Sequence, residues 1–527
     1  MSRKIYLASA CLMAMSLSSL PAFADDSSED QRIAALEQRI EQLEETNRRL
    51  LDFLESQGQI DNNSASIPAV DPVTRFDTQA QGHARAHHQD GYQGHQDHHQ
   101  AHQQVRHDDR PNSGDDFVGL SSDYSYRILD HAENVNTGPL LQLQAIQNGE
   151  LNDRVTLGGG VTVLANYQRS NSNSKFGWLM RHPTPSNQIG EEVSEFVVHS
   201  AQLQTTARLS DNLTSYIEFL YNPEQSFGSG TITDLNRNQV QVRKAYVLWG
   251  DLDQSPWYAG LGKMDTPFGL NDTVNPFTNS TNWHAFAGLA YGGMVGFYNN
   301  GFHLRAMAIQ GGSQFRAANT SVEGTNVPSR VNNFAVDANY TSNFGNGDSI
   351  MFGASYEAGS PYCQNYPVTH FSPCEDNNPA YAVYSRLVMG DFTMIGEFAQ
   401  TTDVWAGSAV PIPANPLSVF EAQETQSFGI GGRYALDVGA ESDLDISFEF
   451  SRFRAGDDGA PWERQNQYVA GLSYFLTPNV KMFGELIHTE GWVPLNFLSG
   501  GNLPAGATWS ERDAKTNVIT FGVQAAF

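Results

Sequence analysis

From about residue 154 onward, apolar and polar residues alternate with a period of two. Val155, Leu157, Val161, Val163, Ala165 and Tyr167 alternate with Arg154, Thr156, Thr162, Asn166 and Gln168. Ala201, Leu203, Ala207 and Leu209 alternate with Gln202, Gln204, Thr206 and Arg208, and Leu444, Ile446, Phe448 and Phe450 with Asp443, Asp445, Ser447 and Glu449. Successive side chains of a strand point to opposite faces, so each segment has one apolar face and one polar, even charged, face. The pattern predicts sixteen strands, near 154–168, 195–209, 213–221, 239–249, 257–265, 285–298, 302–310, 333–341, 349–358, 379–389, 392–401, 425–437, 442–453, 466–476, 480–489 and 516–527. A soluble β-sandwich would alternate in the same way. Three features favour a membrane barrel: aromatics near strand ends, short turns such as Tyr474–Asn479 alternating with longer loops rich in Asn, Ser, Pro and Gly, and an even strand count. The expected fold class is an all-β transmembrane β-barrel of about 16 antiparallel strands, preceded by an N-terminal α-helical coiled coil.

Residues 285–298 lie within the longest run free of Asp, Glu, Lys and Arg after the N-terminal leader. Gly288, Gly292, Gly293 and Gly296 disfavour a helix there, and the run is short of the roughly 20 residues a helical span needs, so it reads as a strand. At the C-terminus Ile519, Phe521, Val523, Ala525 and Phe527 alternate with Thr520, Gly522, Gln524 and Ala526. This looks like the terminal β-signal of outer-membrane proteins.

The N-terminal region divides into four parts. Residues 1–24 carry Arg3 and Lys4, an apolar stretch and Ala22-Phe23-Ala24, the parts of a cleavable secretory signal. In residues 26–57, Ile33, Leu36, Ile40, Leu43, Asn47, Leu50 and Leu54 step by three and four, the seam of a coiled coil. Arg32, Ile33, Leu36 and Glu37, and again Arg39, Ile40, Leu43 and Glu44, resemble a trimerisation motif of short parallel coiled coils. Ile at a, Leu at d and Asn47 at a lean towards a dimer instead; the expectation is a homotrimer. Residues 58–116 are a low-complexity tether expected to be disordered. It holds His83, His87, His88, His95, His98, His99, His102 and His107. Imidazoles in such a segment suit loose binding of Zn²⁺, Cu²⁺ or Ni²⁺; the alternative is a solvated, pH-responsive spacer. No other cofactor is expected. Residues 117–153 plug the pore, cap it or merely connect, and their mixed composition does not choose among these.

Composition narrows the reading further. Acidic residues number 58 against 31 basic, a net charge of −27, and taking away the two positive charges of the signal leaves −29. That balance excludes nonspecific nucleic-acid binding, which needs a basic surface. Mean hydropathy is −0.41, which excludes a helical membrane bundle. Beyond the signal two cysteines remain, Cys363 and Cys374, in a stretch rich in Pro, Asn and Tyr. In an oxidising compartment a disulfide between them is expected, the alternative being two free thiols.

Carrying the alternation inward puts Arg208, Arg305, Arg386 and Arg433 in the lumen, with Glu218, Asp337, Glu357, Glu397, Asp445, Glu449 and Glu485. As a set these candidate pore-lining residues predict a wet channel, weakly cation-favouring or of mixed charge. A dedicated phosphate pore would want an excess of Arg and Lys, and the chain has only 6 Lys. No nucleophile–base pair, phosphate loop or fixed metal-ligand spacing stands out, so an enzyme is not expected.

The order of signal, short coiled coil, polar tether and sixteen-strand barrel resembles the LbtU-type siderophore porins. So does the string Tyr258-Ala259-Gly260-Leu261-Gly262-Lys263-Met264-Asp265-Thr266-Pro267-Phe268-Gly269, although phosphate-selective porins carry a similar one. The likeness implies an outer-membrane protein of a gram-negative bacterium, its coiled coil periplasmic, passing ferric siderophores without energy coupling. Pro267 and Gly269 are expected to turn a strand end. The alternatives are a general or oligosaccharide porin, marked by an aromatic track, and a structural tether contacting the cell wall.

Overall fold

The computed structural model describes residues 117–129, 138–171, 191–221, 240–311, 330–345, 347–362, 377–404, 423–439, 442–457, 463–491 and 514–527. The signal, the coiled-coil and trimerisation residues, the His-rich tether, Cys363 and Cys374 lie outside them. A short strand β1 (Val118–Leu120) and two helices, α1 (Ser122–Arg127) and α2 (Gly138–Gln147), precede the wall. Sixteen strands follow: β2 (Val155–Ser170), β3 (Glu192–Ser210), β4 (Leu213–Tyr221), β5 (Val240–Gly250), β6 (Trp257–Asp265), β7 (Leu289–Asn299), β8 (Phe302–Gln310) and β9 (Val331–Gly345). The second half is β10 (Asp348–Glu357), β11 (Ala380–Met389), β12 (Phe392–Val404), β13 (Glu424–Leu436), β14 (Leu444–Arg454), β15 (Gln465–Thr477), β16 (Val480–Gly491) and β17 (Ala514–Ala526). A third helix, α3 (Thr281–Phe286), stands between β6 and β7.

Each wall strand pairs antiparallel with the next, and β17 returns to β2, from Thr516↔Ser170 to Ala526↔Gly160. The sheet is a closed sixteen-stranded barrel with no free edge. One end of the barrel is made of tight connections such as Asn300–Gly301 and Gly390–Asp391; the other is made of the long ones. β1 pairs parallel with the start of β2 at the short-turn rim.

The wall is polar inside and apolar outside. On β14, Phe448 is 56 % exposed while Glu449, its neighbour, is 1 % exposed; on β16, Leu486 is 59 % exposed and Glu485 2 %. In water each such outward side chain would forgo about 1.5–3 kcal/mol of burial, repeated strand after strand, so this surface suits hydrocarbon. Trp249, Trp257, Tyr340 and Tyr434 lie outward towards the short-turn rim, and Tyr167, Tyr291, Tyr356 and Tyr381 towards the long-loop rim. These are the two girdles expected at membrane interfaces.

The uncharged run 285–298 divides differently from the sequence expectation. Ala285 and Phe286 finish α3, and the strand begins at Leu289. Ser280 caps the helix by accepting from the Trp283 amide, and all six helix residues are buried. Residues 285–288 are apolar because they are packed inside the barrel, a different reason from facing lipid; from Leu289 the run is wall, with Tyr291 and Val295 outward.

Candidate functional site: the lumen and its two inserts

The connection between β6 and β7, residues 266–288, folds into the barrel, and nearly all of it is buried. It leaves β6 at the string Thr266-Pro267-Phe268-Gly269, where the Phe268 amide donates back to the Thr266 carbonyl at 2.9 Å. Gly269 has φ +69°, and a Cβ there would overlap the Glu397 carboxylate. Backbone conformation and space both call for glycine at this turn.

Three inward carboxylates hold the loop. Glu397, Glu449 and Glu485 each lie five residues past the first residue of β12, β14 and β16, strands that run in the same direction. Glu397 accepts from the Leu270 and Asn271 amides at 2.8 and 2.9 Å. Glu449 accepts from the Thr273 hydroxyl at 2.8 Å and the Val274 amide at 3.3 Å. Glu485 accepts from the Phe277 and Thr278 amides at 2.8 and 2.9 Å and from the Thr278 hydroxyl at 2.5 Å. The spacing follows from geometry. Alternate strands stand about 10 Å apart, and three or four residues of extended chain span about 10–14 Å. One anchor per alternate strand therefore lets the loop run around the inner wall. Further contacts fill the gaps: Ser355 accepts from the Gly269 amide, Ser451 from the Thr281 amide, Gln467 donates to the Asn279 carbonyl and the Lys481 ammonium to the Pro276 carbonyl. Burial pushes the His284 imidazole of α3 down to about 3, so it sits neutral against Trp283.

The other inward charges are distributed around the wall. Arg305 and Asp337 form a buried pair at 2.7 Å, and Asp337 also accepts from Ser355 at 2.7 Å and Tyr384 at 2.6 Å. Glu218 accepts from Tyr216 at 2.9 Å. Glu357 is fully buried, and its carboxylate has no hydrogen-bond partner among the described residues. Arg386 approaches Asp272 of the inner loop at 3.9 Å. Arg433 and Asp445 are half-buried on the inner wall near the short-turn rim. Arg208 reaches the Leu151 and Asn152 carbonyls at 3.5 and 3.4 Å. Glu397, Glu449 and Glu485 thus point inward as the alternation predicts but serve loop amides rather than lining water. Glu218, Asp337, Glu357 and Arg305 are likewise buried.

Strict alternation misses Arg243. The β4–β5 register slips between Glu218 and Phe219, so Arg243 and Lys244 both turn in, and Lys244 meets Asp265 at 2.8 Å. A bulge of this kind leaves no mark in a period-two pattern. The inner loop does leave one: across 266–288 Asp272 is the single residue among Asp, Glu, Lys and Arg, a signature of a connection withdrawn from water.

The segment whose role composition leaves open is a second insert. α1 packs on β2 and β17 inside the barrel. Tyr124 meets Thr206 at 3.4 Å, Gln204 donates to the Ser125 carbonyl and Gln202 to the Ile128 carbonyl, both at 3.3 Å. From α2, Gln142 donates to Thr214 at 2.7 Å and accepts from Tyr246 at 3.0 Å. The wall partners all belong to the polar inner face, so residues 121–129 and 138–151 occupy the lumen at the short-turn end. Among the described residues no group of His, Cys, Asp and Glu is arranged to hold a metal ion.

No family model matches this sequence. A search of curated proteins also finds no match. Among solved structures, the chain is similar to the anion-selective porin from Comamonas acidovorans, at 11 % identity over 71 % of this chain and 99 % of that one, with a TM-score of 0.43. It is similar to the outer membrane channel DcaP of Acinetobacter baumannii, at 15 % identity over 71 % and 97 %, TM-score 0.42. It is also similar to Pseudomonas putida OprB, at 9 % identity over 70 % and 94 %, TM-score 0.44.

Proposed function

We propose that the protein is an outer-membrane channel that passes small polar solutes passively. The observation that carries this reading is the inverted polarity of a closed barrel: apolar residues and aromatic girdles outside, amides, hydroxyls and charges inside. Sixteen strands enclose enough space for a water path, and the inner loop narrows it by anchoring on one arc of the wall. With three glutamates bound to loop amides, the inward charges that keep solvent contact include Arg386, Arg433 and Asp445. These residues give the path a mixed charge.

Ferric siderophores are the proposed solute. This part of the reading rests on the resemblance of the N-terminal order and of residues 258–269. The trimerisation-like motif in that context supports a homotrimer held by residues 32–44 in the periplasm; the oxidising envelope supports a Cys363–Cys374 bridge, and the tether's histidines support loose metal binding. Planar-bilayer recording of the full-length protein tests the channel: stepwise conductance is expected, and its absence leaves the cell-wall tether. Block by maltodextrin would point to sugars; block by ferric siderophore supports the proposal. Siderophore-dependent ⁵⁵Fe accumulation that is unchanged by loss of the gene removes the siderophore reading.

A further inference from the structure

Exposed cations on the outer face of the wall are confined to one stretch of its rim. Along β14 the outward positions read Ile446, Phe448, Phe450, Arg452 and Arg454 from the short-turn rim upward. Along β2 they read Val161, Val163, Ala165, Tyr167 and Arg169, and β17, running the other way, starts with Lys515 and Asn517 before Ile519 and Phe521. Among the described wall strands, Arg169, Arg452, Arg454 and Lys515 are the cations both outward and exposed. Lys263 of β6 also points outward but is covered, donating to the Val242 carbonyl at 3.4 Å and lying over the Tyr291 ring.

The acidic groups of this stretch are engaged elsewhere. Glu192 pairs with Arg169 at 3.6 Å. Glu490 accepts from Asn466 at 3.2 Å and lies 3.9 Å from His488. Glu424 accepts from Gln400, and Asp457 from Gln423 at 3.0 Å. Arg452, Arg454 and Lys515 have no carboxylate partner among the described residues; the Arg454 guanidinium donates to the Gly456 carbonyl at 3.4 Å. Phe428 and Asn466 flank Arg452 in register, and the Phe450 and Tyr468 rings meet at 4.9 Å one outward position below it.

A guanidinium is costly against hydrocarbon, and the cost fades at the interface. The edge of the apolar band on β14 therefore falls between Phe450 and Arg452, where the counter-charges on offer are those of lipid headgroups. A guanidinium fork matches phosphate oxygens in pairs. Arg452 and Arg454 stand two residues apart on one face, about 7 Å, close enough for both to reach one headgroup. Side chains that merely reach for water have no reason to collect on one arc, yet these collect on the arc from β14 to β2. The chain carries a net charge of −27, so an attractive patch for an anion is local and not a property of the whole surface.

We propose that the long-loop rim from β14 to β2 binds a phosphorylated lipid headgroup of the outer leaflet, with Arg452 and Arg454 as its phosphate clamp and Lys515 as a further counter-charge. The proposal rests on the outer-membrane reading, in which the long loops face outward, and is independent of the solute that the channel passes.

The test titrates full-length protein in detergent with lipid A carrying its sugar phosphates and counts adducts by native mass spectrometry. EDTA is present so that no divalent ion bridges the lipid to Glu490. Heat-modifiable migration on a gel confirms that each variant has formed its barrel. Saturable binding is expected, weakened about 25-fold in the Arg452→Gln/Arg454→Gln double variant, since each basic residue beside an anionic lipid surface is worth about a factor of five. Arg154→Gln, which removes an exposed cation at the opposite rim, is expected to bind as the parent does. Equal affinity in the double variant, or equal binding of lipid A stripped of its phosphates, overturns the site. Displacement by an equal concentration of inorganic phosphate overturns its assignment to a lipid. In bilayers, a chain that conducts but lacks this binding loses the site and keeps the channel; one that binds yet never conducts keeps the site and loses the channel.

Discussion

Replacing Glu485 tests the anchoring of the inner loop at the residue that makes the most bonds to it. Its carboxylate accepts two backbone amides and one hydroxyl from Phe277 and Thr278. Hydrogen bonds to a charged group contribute about 1.5–3 kcal/mol each, against about 0.5–1.5 for neutral ones. Glu485→Gln keeps the shape and removes the charge, so three bonds each weaken by about 1 kcal/mol, giving a total near 3. Glu485→Ala removes the acceptor and leaves two buried amides unpaired at about 1–3 kcal/mol each. The wall contacts of β16 with β15 and β17 do not involve this side chain, so the barrel itself is expected to assemble. The loop should then leave the wall between β14 and β16 for part of the time. In single-channel recording that appears as added open-channel noise and a second conductance level, weaker in Gln than in Ala. Limited proteolysis should cut within 266–288 in the alanine variant and spare the parent. A Glu485→Ala channel with the parent's conductance, noise and protease resistance would refute the claim that this carboxylate holds the loop.

Other outcomes follow from the same geometry. Asp337→Ala strands the buried Arg305 guanidinium and is expected to cost about 3–5 kcal/mol, read as a lower unfolding temperature by circular dichroism in detergent; an unchanged temperature contradicts the pairing. Gly269→Ala forces a left-handed backbone onto a Cβ that meets Glu397, costing about 1–3 kcal/mol, with loop noise in the bilayer as the readout. His284 is neutral in its seat, pushed down to about 3 by burial, whereas a water-exposed imidazole titrates near 6.5. The released loop therefore binds the extra proton, and seating is fully present above about pH 6.5 and weakens by about 1.4 kcal/mol per unit as pH falls from there towards 3. Conductance noise should rise on acidification and His284→Gln should flatten that component; equal acid responses in both proteins would contradict it.

The wall was legible in the sequence because its alternation answers to two solvents at once. β6 occupies 257–265 as expected, and Phe448 and Glu449 sit on the faces their order predicts. What Glu449 does inside was not legible, because its partner Thr273 is 176 residues away in the chain and nothing local marks a carboxylate destined for backbone amides. Ala285 and Phe286, expected in a strand, misled for a related reason. A segment withdrawn from water into a lumen has the composition of one facing lipid, and only its cap at Ser280 separates the two. Arg243 was hidden by a one-residue slip of register. The N-terminal insert was ambiguous because its surroundings are polar: Gln142 is fully buried on α2, which an ordinary amphipathic pattern would assign to solvent.

The three-carboxylate row also sets an order of events. The amides of Leu270, Asn271, Val274, Phe277 and Thr278 precede their carboxylate acceptors by 126 to 208 positions, so during synthesis the constriction exists as sequence long before these carboxylates can hold it. Until β12, β14 and β16 join the sheet, those amides have only water for partners, and bringing such distant segments together is the slow, entropically costly part of folding. The same strands that complete the wall complete the narrowing. Narrowing is therefore a late-acquired property, gained only with the strands that close the wall.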